Sequence, residues 1–92
     1  MKLIKLDGND KHKYMAVFDD GKKTKFGATG YDDYTKSPHD KDQRDRYRAR
    51  HKKDLSTHDP KRSGYLSYYL LWGDSTSLNT NLAEYKKKFP NI

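Results

Sequence analysis

No cysteine occurs in the chain, which excludes a disulfide framework and any zinc site built on thiolates. Apolar residues are scarce as well. Hydrophobic side chains make up 32% of the sequence and charged ones 36%, whereas an average soluble domain is roughly 25% charged. A thin core and a narrow stability margin follow. Long hydrophobic runs are missing: Tyr65 to Trp72 is the longest, about eight residues where a transmembrane helix needs about 20, so no membrane span is expected. The opening Met1-Lys2-Leu3-Ile4-Lys5-Leu6-Asp7 has too short an apolar run for a signal peptide, and a chain made and kept in the cytosol or nucleus of the cell is the expectation. Nucleophile chemistry lacks its usual parts, since no serine stands in a nucleophile elbow. Gly27-Ala28-Thr29-Gly30 lacks the Gly-Lys-Ser/Thr ending of a phosphate loop and reads instead as a sharp turn in which glycine permits positive φ.

What the chain does have is tyrosine, eight among twelve aromatic residues. Each ring can bury an apolar body while its hydroxyl stays at a wet edge, which suits a protein with a large contact surface. At 92 residues one core is the expectation, because two would each fall below the size at which burial outweighs chain entropy.

The first third alternates at a period near two. Leu3 and Lys5 oppose Ile4 and Leu6; Tyr14, Ala16 and Phe18 oppose Met15 and Val17; Lys22, Thr24 and Phe26 oppose Lys23 and Lys25. Gly8-Asn9-Asp10 separates the first two strands, and Asp20-Gly21 predicts a type I′ turn between the second and third. Ser37 as N-cap, Pro38 at the first helical position and Asp40 near the positive dipole end predict a helix from about Pro38 to Lys53. Its apolar residues are few, Tyr47, Ala49 and Leu55, with Gln43 and His51 on the face of Tyr47. Ser63-Gly64 opens a second helix, apolar nearly all round from Tyr65 to Trp72, with Gly73 as its C′ stop. A third begins at Ser75 or Ser77 and carries Leu78, Leu82, Tyr85 and Phe89 as one stripe closed by Pro90. The fold class is therefore α+β: a small three-stranded antiparallel meander (residues 1–28) followed by three α-helices (residues 37–89), in a single domain over residues 1–92.

Charge is concentrated in the middle. Residues 36 to 62 carry ten basic and five acidic side chains, and so five of the seven net positive charges. The stretch Arg44-Asp45-Arg46-Tyr47-Arg48-Ala49-Arg50-His51-Lys52-Lys53 has two readings. As a nucleic-acid helix it would neutralise several phosphates and bind with steep salt dependence. As a structural helix it would be laced by Asp40 with Arg44, Asp42 with Arg46 and Asp45 with Arg48, pairs worth about 0.2–0.5 kcal/mol each. Arginines at every second position step by about 200° around a helix, so they radiate instead of lining one side. That favours a many-sided joint among proteins, for which arginine's planar fork is well suited. The contact residues singled out are Arg44, Arg46, Arg48, Arg50, Lys52 and Lys53, with Tyr31 and Tyr34. Lys86-Lys87-Lys88 reads as the favourable C-terminal charge of the last helix.

Four histidines invite a metal reading, in particular His39-Asp40, His58-Asp59 and His51. No two of them stand at i,i+4, however, and no helix carries a zincin ligand pair. A GIY-YIG nuclease would use Phe26-Gly27-Ala28-Thr29, Arg44, His51 and Glu84, but Tyr14-Met15-Ala16-Val17 lacks the glycine of its first motif. The expectation is no metal, no cofactor and no enzymatic activity.

Lys25-Phe26-Gly27-Ala28-Thr29-Gly30-Tyr31-Asp32-Asp33-Tyr34, then His39-Asp40, Arg46-Tyr47-Arg48-Ala49-Arg50-His51, Asp59-Pro60, Ser63-Gly64-Tyr65-Leu66-Ser67, Leu70-Leu71-Trp72-Gly73 and the final apolar stripe together resemble a group of small basic proteins. These are encoded by large double-stranded DNA viruses of eukaryotes, and the likeness spans about residues 20 to 90. The resemblance implies a viral setting and brings no catalytic or binding residues with it. The expected role is a virion structural protein, a minor capsid or cement component that bridges larger shell proteins. Alternatives are a basic protein that accompanies the viral genome and, more remotely, a metal-dependent nuclease.

Overall fold

A computed structural model describes residues 1–36 and 38–92. Three strands, β1 (Lys2–Lys5), β2 (His12–Val17) and β3 (Lys23–Ala28), form an antiparallel meander in the order β1-β2-β3. Ala16 lies opposite Leu3 on one side and Thr24 on the other, and Tyr14 lies opposite Phe26. The expected alternation is therefore observed, with Ala16, Phe18 and Phe26 all buried. The second hairpin differs from expectation. Val17 pairs with Lys23, the Phe18 N–H donates to the Lys22 carbonyl and the Gly21 N–H to the Phe18 carbonyl, each at 2.9 Å. Three residues, Asp19, Asp20 and Gly21, thus form the loop: a type I turn closed by Gly21 at φ +89° in place of the two-residue type I′ turn.

Helix α1 runs Lys41–His51 and continues as a 3₁₀ segment, Lys52–Thr57. It starts later than the sequence suggests. The Asp40 carboxylate caps it, accepting the Asp42 N–H at 2.9 Å and the Gln43 N–H at 3.1 Å. Pro38 lies outside the helix because His39, at φ +58°, is left-handed and cannot belong to a right-handed helix. The cap expected at Ser37 falls outside the described residues. Helix α2 (Ser63–Leu66) opens at the expected serine and passes into a π turn, Ser67–Leu71, in which the Trp72 N–H reaches back five residues to the Ser67 carbonyl at 3.1 Å. Gly73 is no left-handed stop. Its hydrogen is needed for space, since a Cβ there would stand 2.2 Å from the Tyr69 carbonyl oxygen. Helix α3 (Leu78–Lys88) is capped by Ser77, whose hydroxyl accepts the Thr80 N–H at 3.2 Å.

The helices gather on one face of the sheet. Leu66, Leu70, Leu71, Trp72 and Tyr85 pack with Ala16, Phe18 and Phe26 into one cluster that Ile92 completes. No helix is long and apolar enough to cross a membrane among the described residues. Burial pushes the Tyr85 phenol above its ordinary pKa, with Tyr65, Tyr69 and Asp59 adding to the effect, while its hydroxyl donates to the Pro60 carbonyl. Tyr47 and Tyr14 are raised for the same first reason. A raised phenol stabilises the fold fully below its unfolded pKa of about 10, and the contribution is lost as pH climbs above that value. Urea midpoints should hold steady from pH 7 to about 9.5 and fall steeply between about 10 and 11.5. Tyr85→Phe should flatten that alkaline fall; an unchanged slope would count against burial of the phenol as its cause.

Candidate protein-contact surface

The row of arginines on α1 is divided by the fold. Arg44 and Arg48, one turn apart, point into the protein. Arg44 is 8% exposed; its Nε and Nη2 each donate to Asp45 Oδ1 at 3.1 Å, and its Nη1 lies 3.4 Å from the Asp74 carbonyl oxygen. Its guanidinium also lies over the Tyr34 ring at 4.7 Å. Arg48 Nε donates to the Trp72 carbonyl at 2.7 Å, and Nη2 donates to Asp74 Oδ1 at 2.8 Å. Both side chains hold the turn Trp72-Gly73-Asp74, and the hydrogen bond from Arg48 keeps the Asp74 carboxyl below the usual range. Between them Tyr47 is stacked, 4.5 Å from the Trp72 ring and 4.2 Å from that of His51. His51 Nδ1 faces Asp54 Oδ2 at 3.1 Å.

Arg46, Arg50, Lys52 and Lys53 are exposed and lie on the outward side. The three i,i+3 and i,i+4 ion pairs expected along α1 do not form among the described residues. Asp40 is engaged in capping and Asp45 with its neighbour Arg44, while Asp42 leaves Arg46 free; Arg48 finds Asp74 instead. Of the eight contact residues singled out from sequence, then, Arg44, Arg48 and the half-buried Tyr34 serve the interior. The outward cations and Tyr31, 71% exposed, are available to a partner.

Tyr31 is held by a segment that the sequence did not mark as special. The Asp33 carboxylate is buried; it accepts Lys13 Nζ at 2.7 Å, the Thr35 N–H at 2.8 Å and the Thr35 hydroxyl. Lys13 Nζ also donates to the Tyr31 carbonyl, and the Tyr34 N–H donates to the Leu71 carbonyl at 3.0 Å. The Asp-x-Thr spacing, with its Asx-turn preference, was the available signal. Beside it Gly27 takes φ +78° within β3, where a Cβ would meet Leu71 Cδ1 at 2.8 Å; of the turn expected over Gly27-Ala28-Thr29-Gly30 only the second half is turned, the Tyr31 N–H donating to the Ala28 carbonyl at 3.3 Å with Gly30 at φ +88°. Asn81 was also missed. It lies on the buried side of α3, donating to the Leu70 carbonyl at 2.9 Å and the Ser75 carbonyl at 2.8 Å and accepting the Ser75 N–H at 3.0 Å.

The nuclease constellation is not assembled. Arg44 is turned into the protein, His51 is stacked on Tyr47, and Glu84 lines a groove with Arg48 and Asp74 that includes neither of the other two. Among the described residues no group of three or more His, Asp or Glu is placed to hold a metal ion. What the surface offers chemically is contact: an exposed aromatic ring, cations without an ion pair among the described residues, and two outer rows of the sheet. No curated protein and no solved structure matches the chain. The model of a family of unknown function, DUF5754, matches residues 3–51, from the first strand to the last turn of α1, and the chain belongs to that family.

Proposed function

We propose that the protein is a non-enzymatic structural component of a virion, a minor capsid or cement protein that bridges larger shell proteins of a large double-stranded DNA virus. The observation that carries the contact role is the division of the arginine row. Two of the four guanidinium groups are bonded inside the fold, and the outward Arg46 has the exposed carboxylate of Asp42 one turn before it on α1. A polyanion is best met by a continuous strip of cations; a joint among proteins is served by mixed charge with exposed tyrosine. The viral setting rests on the resemblance across residues 20 to 90, and synthesis in the host cytoplasm followed by packaging is the corresponding route. Quantitative mass spectrometry of purified particles tests it: a fixed copy number per major capsid protein is expected, resistant to salt and nuclease treatment. Absence from the particle would end this reading.

One observation favours a second reading, a basic accessory protein of the viral genome. Arg46, Arg50, Lys52 and Lys53 carry no ion pair among the described residues and follow one another along the outward side of α1 and the turn after it. Titration of duplex DNA at 50 and 200 mM salt decides between the two. Binding that weakens at least about a hundredfold over that interval, and is lost in Arg46→Ala/Arg50→Ala, would favour the genome. Weak binding with a shallow response is expected for the shell.

A further inference from the structure

The helices cover one face of the meander. The opposite face is closed at Lys13, which bonds Asp33 and the Tyr31 carbonyl, and is open in the two rows beyond. Its cross-strand rows are Lys2, Val17 and Lys23, then Ile4, Met15 and Lys25. Ile4 is 40% exposed, and Met15 and Val17 are half-buried. None of the three belongs to the core cluster or packs against it. The apolar side chains occupy β2 and the middle of β1, the lysines lie at the two edges of the sheet, and neither row contains a carboxylate. Lys25 reaches Asp10 at 2.8 Å. Lys2 and Lys23 are exposed and have no carboxylate partner among the described residues.

We propose that this outer sheet face docks a protein segment with an apolar ridge flanked by acidic side chains. The proposal rests on the reading of the chain as a protein joint and supplies the chemistry of one partner. Charge selects the occupant. A second copy related by a two-fold axis would set lysine edges against lysine edges, which opposes self-association. A nucleic acid would satisfy the lysines and leave Ile4, Met15 and Val17 in water. An amphipathic acidic segment removes the apolar strip from water and places carboxylates beside Lys2, Lys23 and Lys25, and salt would slow its approach. The edge strand β1 is short and carries lysine at both ends, a pattern that discourages indiscriminate strand addition and leaves the face itself as the specific surface.

The test is a titration of the isotope-labelled full chain with a synthetic helical peptide of about 16 residues that carries a leucine ridge between two rows of glutamate. Amide shifts should be confined to residues 2–5, 12–17 and 23–25. Met15→Glu and the pair Lys2→Glu/Lys23→Glu should each weaken binding by at least about tenfold while the unbound spectrum stays folded. Lys86→Ala, on the exposed side of α3, should leave the affinity unchanged. Shifts centred on α1, affinity indifferent to the sheet variants, or the same residues responding more strongly to duplex DNA, phosphatidylserine vesicles or rising concentration of the chain alone would each overturn the proposal. The outcome is separate from particle composition: absence from the virion would remove the shell reading and leave this titration standing, whereas an unmoved sheet face would remove this inference with the chain still in the shell.

Discussion

Asp33→Ala should cost about 3–5 kcal/mol and lower the melting temperature by at least about 12 °C. The carboxylate is 2% exposed and its lysine partner 13%, so little water reaches either. Removing one member leaves the other charge without compensation, and that desolvation term dominates the loss. The change also deprives the Thr35 N–H and hydroxyl of their acceptor. Because the ammonium of Lys13 bonds the Tyr31 carbonyl as well, the turn that presents the exposed tyrosine should loosen in the same variant. Replacing both partners, as Lys13→Met/Asp33→Leu, should lose less than the single substitution, since no orphaned charge then remains. Urea denaturation of the parent and the two variants measures both losses. A single-variant loss below about 1 kcal/mol would show that water reaches the pair and that the charge is not held by burial.

Asn81→Leu is expected to be nearly as damaging, at about 3 kcal/mol or more. The side chains are similar in volume, so packing is roughly conserved, but the Leu70 carbonyl and the Ser75 N–H and carbonyl lose their partner. Each buried backbone group left unsatisfied costs about 1–3 kcal/mol. The consequence reaches α1, because Asn81 fixes the end of the turn on which Arg44 and Arg48 close, and a Cβ at the intervening Gly73 would stand 2.9 Å from Asn81 Cγ. Amide exchange should therefore quicken from Trp72 to Ser77 before it quickens in the sheet. Uniform quickening across the chain would contradict this role.

Alternation at a period of two sufficed to place the three strands and to assign Ala16, Phe18 and Phe26 to the core face. The same alternation already held the correction to the hairpin: with Phe18 inward its partner must be Lys22, which leaves three residues for the loop. Asp20-Gly21 misled because both turn types accept glycine at the position where φ is positive. The start of α1 was misplaced for a local reason, the left-handed His39, a conformation that histidine adopts more often than most residues but too seldom to be predicted from its presence. The apolar run from Tyr65 to Trp72 was legible as a buried helix, though not as a π turn, since the bond from the Trp72 N–H to the Ser67 carbonyl has no signature in residue preference. The candidate contact surface was half legible. A step of about 200° separates neighbouring arginines into two sets, yet which set turns inward depends on the Trp72-Gly73-Asp74 turn nearly thirty residues away. Lys13 and Asp33 lie in separate segments, and their pairing across twenty positions leaves no periodic trace.

The account turns on Arg44 and Arg48 belonging to the fold while Arg46 and Arg50 belong to the surface. Urea unfolding of the four single alanine variants tests this most directly. Arg44→Ala and Arg48→Ala should each lose about 1.5–3 kcal/mol, because each deletes charge-assisted bonds to the turn after the second helix. Arg46→Ala and Arg50→Ala should stay within about 0.5 kcal/mol of the parent. Four equal losses, or losses confined to Arg46 and Arg50, would contradict the division of the row and the protein-contact reading built on it.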